Sequence, residues 1–185
     1  ASGYGSLYSN TTGNSNTALG YEALKTNTTG VSNIASGYGA LYSNTVGGSN
    51  TASGYTALYL NTSGSYNTAS GRQALFNNTT GGTNTAIGTK ALYSNSTGSG
   101  NVAIGYEAGW SETGSNKLYI SNGSGSGNQL LYGDFSTGDL SLGQTSGTVT
   151  ILNDADIDGT LTLGSISDVE SELGQISSNT SNISS

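Results

Sequence analysis

The 185-residue chain has no cysteine, no histidine, no proline and no methionine. Without cysteine there is neither a disulfide framework nor a thiolate metal site, and thiols say nothing about redox compartment. Without histidine the commonest general base and metal ligand is missing, which argues against an enzyme. The serines have nothing to activate them, and the Gly-rich stretches lack the Lys-Ser/Thr ending of a phosphate loop. No apolar run approaches the ~18 residues of a membrane span, so no membrane insertion is expected and the chain reads as soluble. The start at Ala1, with no Met and no recognisable secretion signal, is read as that of a processed or partial product.

Charge is scarce, at 8% of residues, and unevenly placed. Residues 1–102 hold Glu22 against Lys25, Arg72 and Lys90, net +2, whereas residues 103–185 hold ten acids against Lys117, net −9. Neither part offers the basic stripe that nucleic acid requires, and the acidic part repels it.

Glycine is plentiful, at 30 residues. In a polar chain with little charge that would ordinarily mark a flexible low-complexity segment. A strict period argues otherwise. Units of 17 residues begin at Ala1, Ala18, Ala35, Ala52, Ala69 and Ala86, and a seventh opens at Ala103 before its second half diverges. Such a period marks a stacked repeat, because one short unit cannot bury its own apolar face.

Counting the first Ala as position one, position three is Gly in all seven units, from Gly3 to Gly105. Position four is Tyr except at Arg72 and Thr89, and position six is Ala except at Ser6. Leu holds position seven from Leu7 to Leu92, followed by an aromatic or, once, Lys25. Asparagine rows run from Asn10 to Asn95 and from Asn16 to Asn101, with a glycine row from Gly13 to Gly98 between them. Turn residues flanking short Thr-, Tyr- and Leu-bearing pieces, with no proline and no run of helix formers, predict an all-β solenoid. Each coil is expected to be flattened, with two short strands and two turns, stacked at about 4.8 Å to make a rod of roughly 30 Å. Identical residues then form ladders: asparagine amides pair along the rod, and Ala and Gly rows let backbones approach closely. The apolar content of a coil is thin, and position two toggles between Ser and Leu19, Ile87 or Ile104, as a half-buried interface would. Several chains, read as three, are therefore expected to pack side by side.

The units Asn84–Gly88 and Asn101–Gly105 resemble the signature of YadA-like trimeric adhesin heads. The longer form, as in Gly37–Gly47 or Gly20–Gly30, resembles repeats of phage tail fibres and related bacterial surface proteins. The passage Glu112–Phe135 looks like the segment that follows such repeats in those fibres. The resemblance covers about residues 1–143. It implies a left-handed parallel β-roll, a homotrimer, and a virion tail fibre or extracellular setting in which the chain attaches to a host-surface glycan or other receptor.

Four segments are expected: a β-roll head at 1–111, a capping β segment at 112–145, a β neck at 146–164 and the start of a trimeric coiled coil at 165–185. A turn at Ser121–Asn128 between Leu118–Ile120 and Leu130–Tyr132 reads as a hairpin or cap, which a solenoid end requires. Apolar alternation at Leu140 and Leu142, Val149 and Ile151, and Leu161 and Leu163 reads as short strands with one apolar face. Ile166, Val169, Leu173, Ile176, Thr180 and Ile183 follow heptad spacing after a Ser167–Asp168 helix start, and β-branched seam residues favour a trimer over a dimer.

No cofactor is expected, apart from a calcium reading of Asp154, Asp156, Asp158 and Gly159. These match the first half of a calcium loop but lack its closing Glu, and a solvated turn is the plainer reading. Tyr and Trp faces can stack on sugars, although the aromatic rows also serve to pack coil on coil. Residues that depart from the repeat, Arg72, Lys90, Tyr66 and Trp110, are therefore the recognition candidates. The Asn-x-Ser/Thr triplets are by-products of the repeat. An ice-binding Thr array is disfavoured because the Thr rows lie beside turns and not at mid-strand. A phage fibre is preferred to a bacterial trimeric adhesin, and a spacer that recognises nothing is the alternative class.

Overall fold

The computed structural model describes residues 1–124 and 129–142. The expected β neck, the Asp154, Asp156 and Asp158 turn and the heptad stretch lie outside the described residues. Among the described residues there is no helix, and the chain is an all-β parallel solenoid. Its strands are β1 (Thr17–Leu19), β2 (Ile34–Ser36), β3 (Thr51–Ser53), β4 (Thr68–Ser70), β5 (Thr85–Ile87) and β6 (Val102–Ile104). Each pairs in parallel with the next in the register of the repeat, Ala18 opposite Ala35 and Ala35 opposite Ala52.

Each coil thus carries one strand where two were expected. The remainder turns, because positions five, seven and fifteen take positive φ: Thr56 at 50°, Leu58 at 51° and Tyr66 at 62° in one such coil. Left-handed residues cannot continue an extended strand. For leucine that conformation costs roughly 1–2 kcal/mol. The cost is offset where the side chain enters the core: Leu24, Leu41, Leu58, Leu75 and Leu92 are all fully buried, each contributing about 2 kcal/mol. Backbone bonding helps too, with Leu41 N donating to Ala57 O of the next coil at 3.0 Å.

The apolar core lies inside a single chain, built from the two alanine rows and the leucine row, with the aromatic rows outside it. Asparagine fills the rest of the interior. In the position-ten row, Asn44 Nδ2 donates to Asn27 Oδ1 at 2.8 Å and to Gly47 O at 2.9 Å. In the position-sixteen row, Asn50 N and Nδ2 both donate to Asn33 Oδ1, and Nδ2 also reaches Gly64 O at 2.8 Å. These amides are buried, and each hydrogen bond repeats one coil further on, so the ladders satisfy polar groups that would otherwise be costly. The position-three glycines stand where coils nearly touch. A Cβ on Gly54, at φ +141°, would lie 2.5 Å from the carbonyl oxygen of Gly71.

At the far end β7 (Lys117–Ser121) pairs in parallel with β6, Val102 opposite Leu118, so the offset shortens by one residue. β8 (Gln129–Asp134) and β9 (Asp139–Leu142) continue antiparallel, giving the hairpin that covers the last coil. β9 leaves Leu140 and Leu142 both exposed. The seventh coil keeps the shape of the others despite its altered sequence. Gly114 O accepts Asn101 Nδ2 at 2.8 Å, as Gly98 O accepts Asn84 Nδ2, and Asn116 takes φ 62°.

Candidate recognition surface

Two aromatic rows run along the turn that follows each strand. At position four Tyr4, Tyr21, Tyr38 and Tyr55 stack with ring centroids 5.0–5.4 Å apart. At position eight Tyr42, Tyr59, Phe76, Tyr93 and Trp110 stack at 4.9–6.0 Å. Stacking covers ring faces and leaves edges outward. Within an unbroken row the tyrosines therefore offer hydroxyls and ring edges to a ligand, and faces open only where the row is interrupted.

The four departures from the repeat do not converge on one site. Arg72 takes a tyrosine's place at position four and lays its guanidinium 6.0 Å from the Tyr55 ring centroid, continuing the stack as a cation–π contact. Lys90 adjoins it: Lys90 N donates to Arg72 O at 2.8 Å, and the ammonium faces Glu107 at 3.7 Å. Trp110 ends the position-eight row, partly exposed against Tyr93. Tyr66 sits apart at position fifteen, before the strand; it is 68% exposed, and its N–H donates to Gly48 O.

Sequence reasoning passed over Lys25 and Glu22, which the structure brings together. Lys25 interrupts the position-eight row, and Glu22 is the only acid before residue 107. Lys25 Nζ lies 2.6 Å from Glu22 Oε1 and 5.4 Å from the Tyr42 ring centroid, so it leans toward the following coil. The bond to Glu22 holds the ammonium well above the usual lysine range, against desolvation acting the other way. The Glu22 carboxylate in turn pushes the Tyr21 phenol up. Beside the pair a cleft of about 440 Å³ opens between Tyr4, Gly5, Tyr8 and Tyr21. The signal available in the sequence was two charged departures three residues apart in one unit.

A second surface is the outer face of the β1–β6 sheet. Alternation along each strand buries the central alanine and turns positions seventeen and two outward. Threonines 17, 51, 68 and 85 therefore stand at the first position of their strands, just after the asparagine that closes the turn and not at mid-strand, and Ile34 and Val102 interrupt their row. In the single chain the position-two residues Leu19, Ile87 and Ile104 are exposed.

Among the described residues no group of three His, Cys, Asp or Glu side chains is placed to hold a metal ion, and no helix is long and apolar enough to cross a membrane. Comparison of the chain with protein-family models, with curated proteins and with solved structures finds no match in any of the three.

Proposed function

We propose that the chain is a segment of a homotrimeric attachment fibre that holds a rigid rod against saccharides of a host surface. One observation carries this reading: stacked tyrosines stand half-exposed on a scaffold fixed by buried asparagine ladders, and the breaks in those rows uncover aromatic faces. Tyr8 and Tyr106 stand beside such breaks, next to Lys25 and Thr89 in their respective rows. A rigid aromatic edge or face with adjacent hydroxyl, amide and charged groups suits carbohydrate, because little order is lost on contact. Single contacts of this kind are weak, and many copies on one particle multiply them.

The outer sheet face, with Leu19, Ile34, Ile87 and Ile104 exposed, is the surface that three chains would share. A virion tail fibre is the preferred setting, on the likeness of Glu112–Phe135 to the segment that follows such repeats. A bacterial surface adhesin would use the same chemistry. The test is an array of host-surface polysaccharides and neutral oligosaccharides probed with the full chain. Retention on one or more of them is expected, and silence across the array would favour a structural spacer.

A further inference from the structure

The position-eight row is continuous from Tyr42 to Trp110, and in it Tyr59 also roofs the coil before it. A Cβ on Gly39 would meet Tyr59 Cε2 at 3.1 Å. In the second coil no ring stands there, and it is Glu22 Cγ that lies over Gly5, 3.3 Å from where a Cβ would be. Lys25 stands where the ring would, and it bends away over Tyr42 to pair with Glu22. Tyr8 consequently has no ring stacked on it from that coil, and the stack begins only at Tyr42. The space left is the cleft of about 440 Å³, walled by Tyr4 and Tyr21 on one side and Tyr8 on the other, with Glu22 and Lys25 at its edge.

We propose that this cleft is a binding site for a neutral pyranoside, whose ring takes the place of the missing aromatic ring on Tyr8. The apolar face of a pyranose lies on Tyr8, at the level an aromatic residue occupies in the other coils. The Lys25 ammonium then donates to one ring hydroxyl, and the free lone pairs of the Glu22 carboxylate accept from another. Glu22 and Lys25 neutralise each other, so the cleft has no net charge with which to select an anionic sugar. Its size falls within the ~300–1,000 Å³ of small-ligand sites.

The inference rests on the attachment reading above, and the test separates the two. Saturation-transfer NMR with methyl glucosides, methyl galactosides and N-acetylglucosamine is run on the wild-type chain and on K25Y, E22Q and, as a control on the exposed strand β9, S141A, alongside the oligosaccharide array. K25Y restores the repeat residue, so it is expected to fold with an unchanged or higher melting temperature while filling the cleft. The expected result is saccharide binding that K25Y weakens at least tenfold, E22Q weakens less, and S141A leaves unchanged. Binding that survives K25Y intact overturns this site and leaves the attachment reading standing. A wild-type chain that binds none of the monosaccharides but is retained on the array likewise overturns the site alone, whereas silence in both overturns the two together.

Discussion

The ring of Tyr119 occupies the space that the leucine row vacates at Gly109. A Cβ on Gly109 would lie 2.9 Å from Tyr119 Cδ2 and 3.1 Å from Leu92 Cδ2. In every earlier coil position seven is leucine and position one alanine. In the seventh unit position seven is Gly109, and on the next strand Tyr119 stands opposite Ala103, at position one, so a large residue has moved from one wall of the core to the other. Restoring leucine alone, G109L, should clash with the ring and cost about 1–3 kcal/mol. Y119A alone should leave a cavity costing roughly 3–5 kcal/mol. The double variant recreates the repeat pair, so its loss, measured by chemical denaturation, should be smaller than the sum of the singles. Additive losses would show that ring and row do not share that space.

Leu58 pairs complete burial with a φ of 51°. L58A should destabilise by roughly 2–5 kcal/mol through the cavity it leaves. L58G should be less damaging than L58A by about 1 kcal/mol, because glycine accepts the left-handed backbone freely. That is the reverse of the order at an ordinary strand or helix position. Thermal melts of the two variants check it, and a less stable L58G would contradict the strained-leucine description.

Thr56 has a φ of 50°, lies buried, and its Oγ1 finds no hydrogen-bond partner. The same position is glycine in two other units, at Gly5 and Gly39. T56G removes both the β-branched strain and the orphan hydroxyl, and should stabilise by about 1–2 kcal/mol. A lower melting temperature for T56G would show that the threonine methyl contributes more packing than its backbone costs.

The end cap should respond to acid separately from the coils. Burial opposes ionisation of Glu112, but the Tyr119 hydroxyl and the Gly114 and Thr113 amides outweigh it and hold the carboxyl below its ordinary value of 4.5. Lys117 holds Asp134 far below the usual carboxylate range. Both folded values are depressed, so the stability these groups contribute is fully present above about pH 4.5 and is lost as pH falls through the depressed values. Residues 23–106 contain no acid. Hydrogen exchange below pH 4 should therefore speed up in β7 and β8 while the amides of β2–β5 stay protected. Equal loss in both regions would contradict a cap held by carboxylates.

Much of the coil was legible in the period alone. The alanine, leucine and asparagine rows that line the interior, like the glycine row at position three, are kept nearly without exception, because each faces its own copy above and below. The single strand per coil was not legible: leucine is a poor former of positive φ, and tertiary burial imposes that conformation on Leu24, Leu41, Leu58, Leu75 and Leu92. The seventh coil was hidden by the loss of one residue before Gly114, which shifts the asparagine pattern while Asn101 goes on bonding to Gly114 O and Lys117 N. Among the recognition candidates, spacing identified departures from the repeat without placing them. Tyr66 lies on a different turn from Arg72 and Lys90, and Lys25 was legible only as an exception in its row.

The proposed attachment would require three chains to share the outer sheet face, and the mass of the chain in solution tests this most directly. Light scattering on the full chain is predicted to give three times the 18.5 kDa of one chain. A charge placed on that face, as in I87D, should lower the mass toward one chain. A wild-type mass of 18.5 kDa at micromolar concentration would contradict the shared face and, with it, the trimeric fibre.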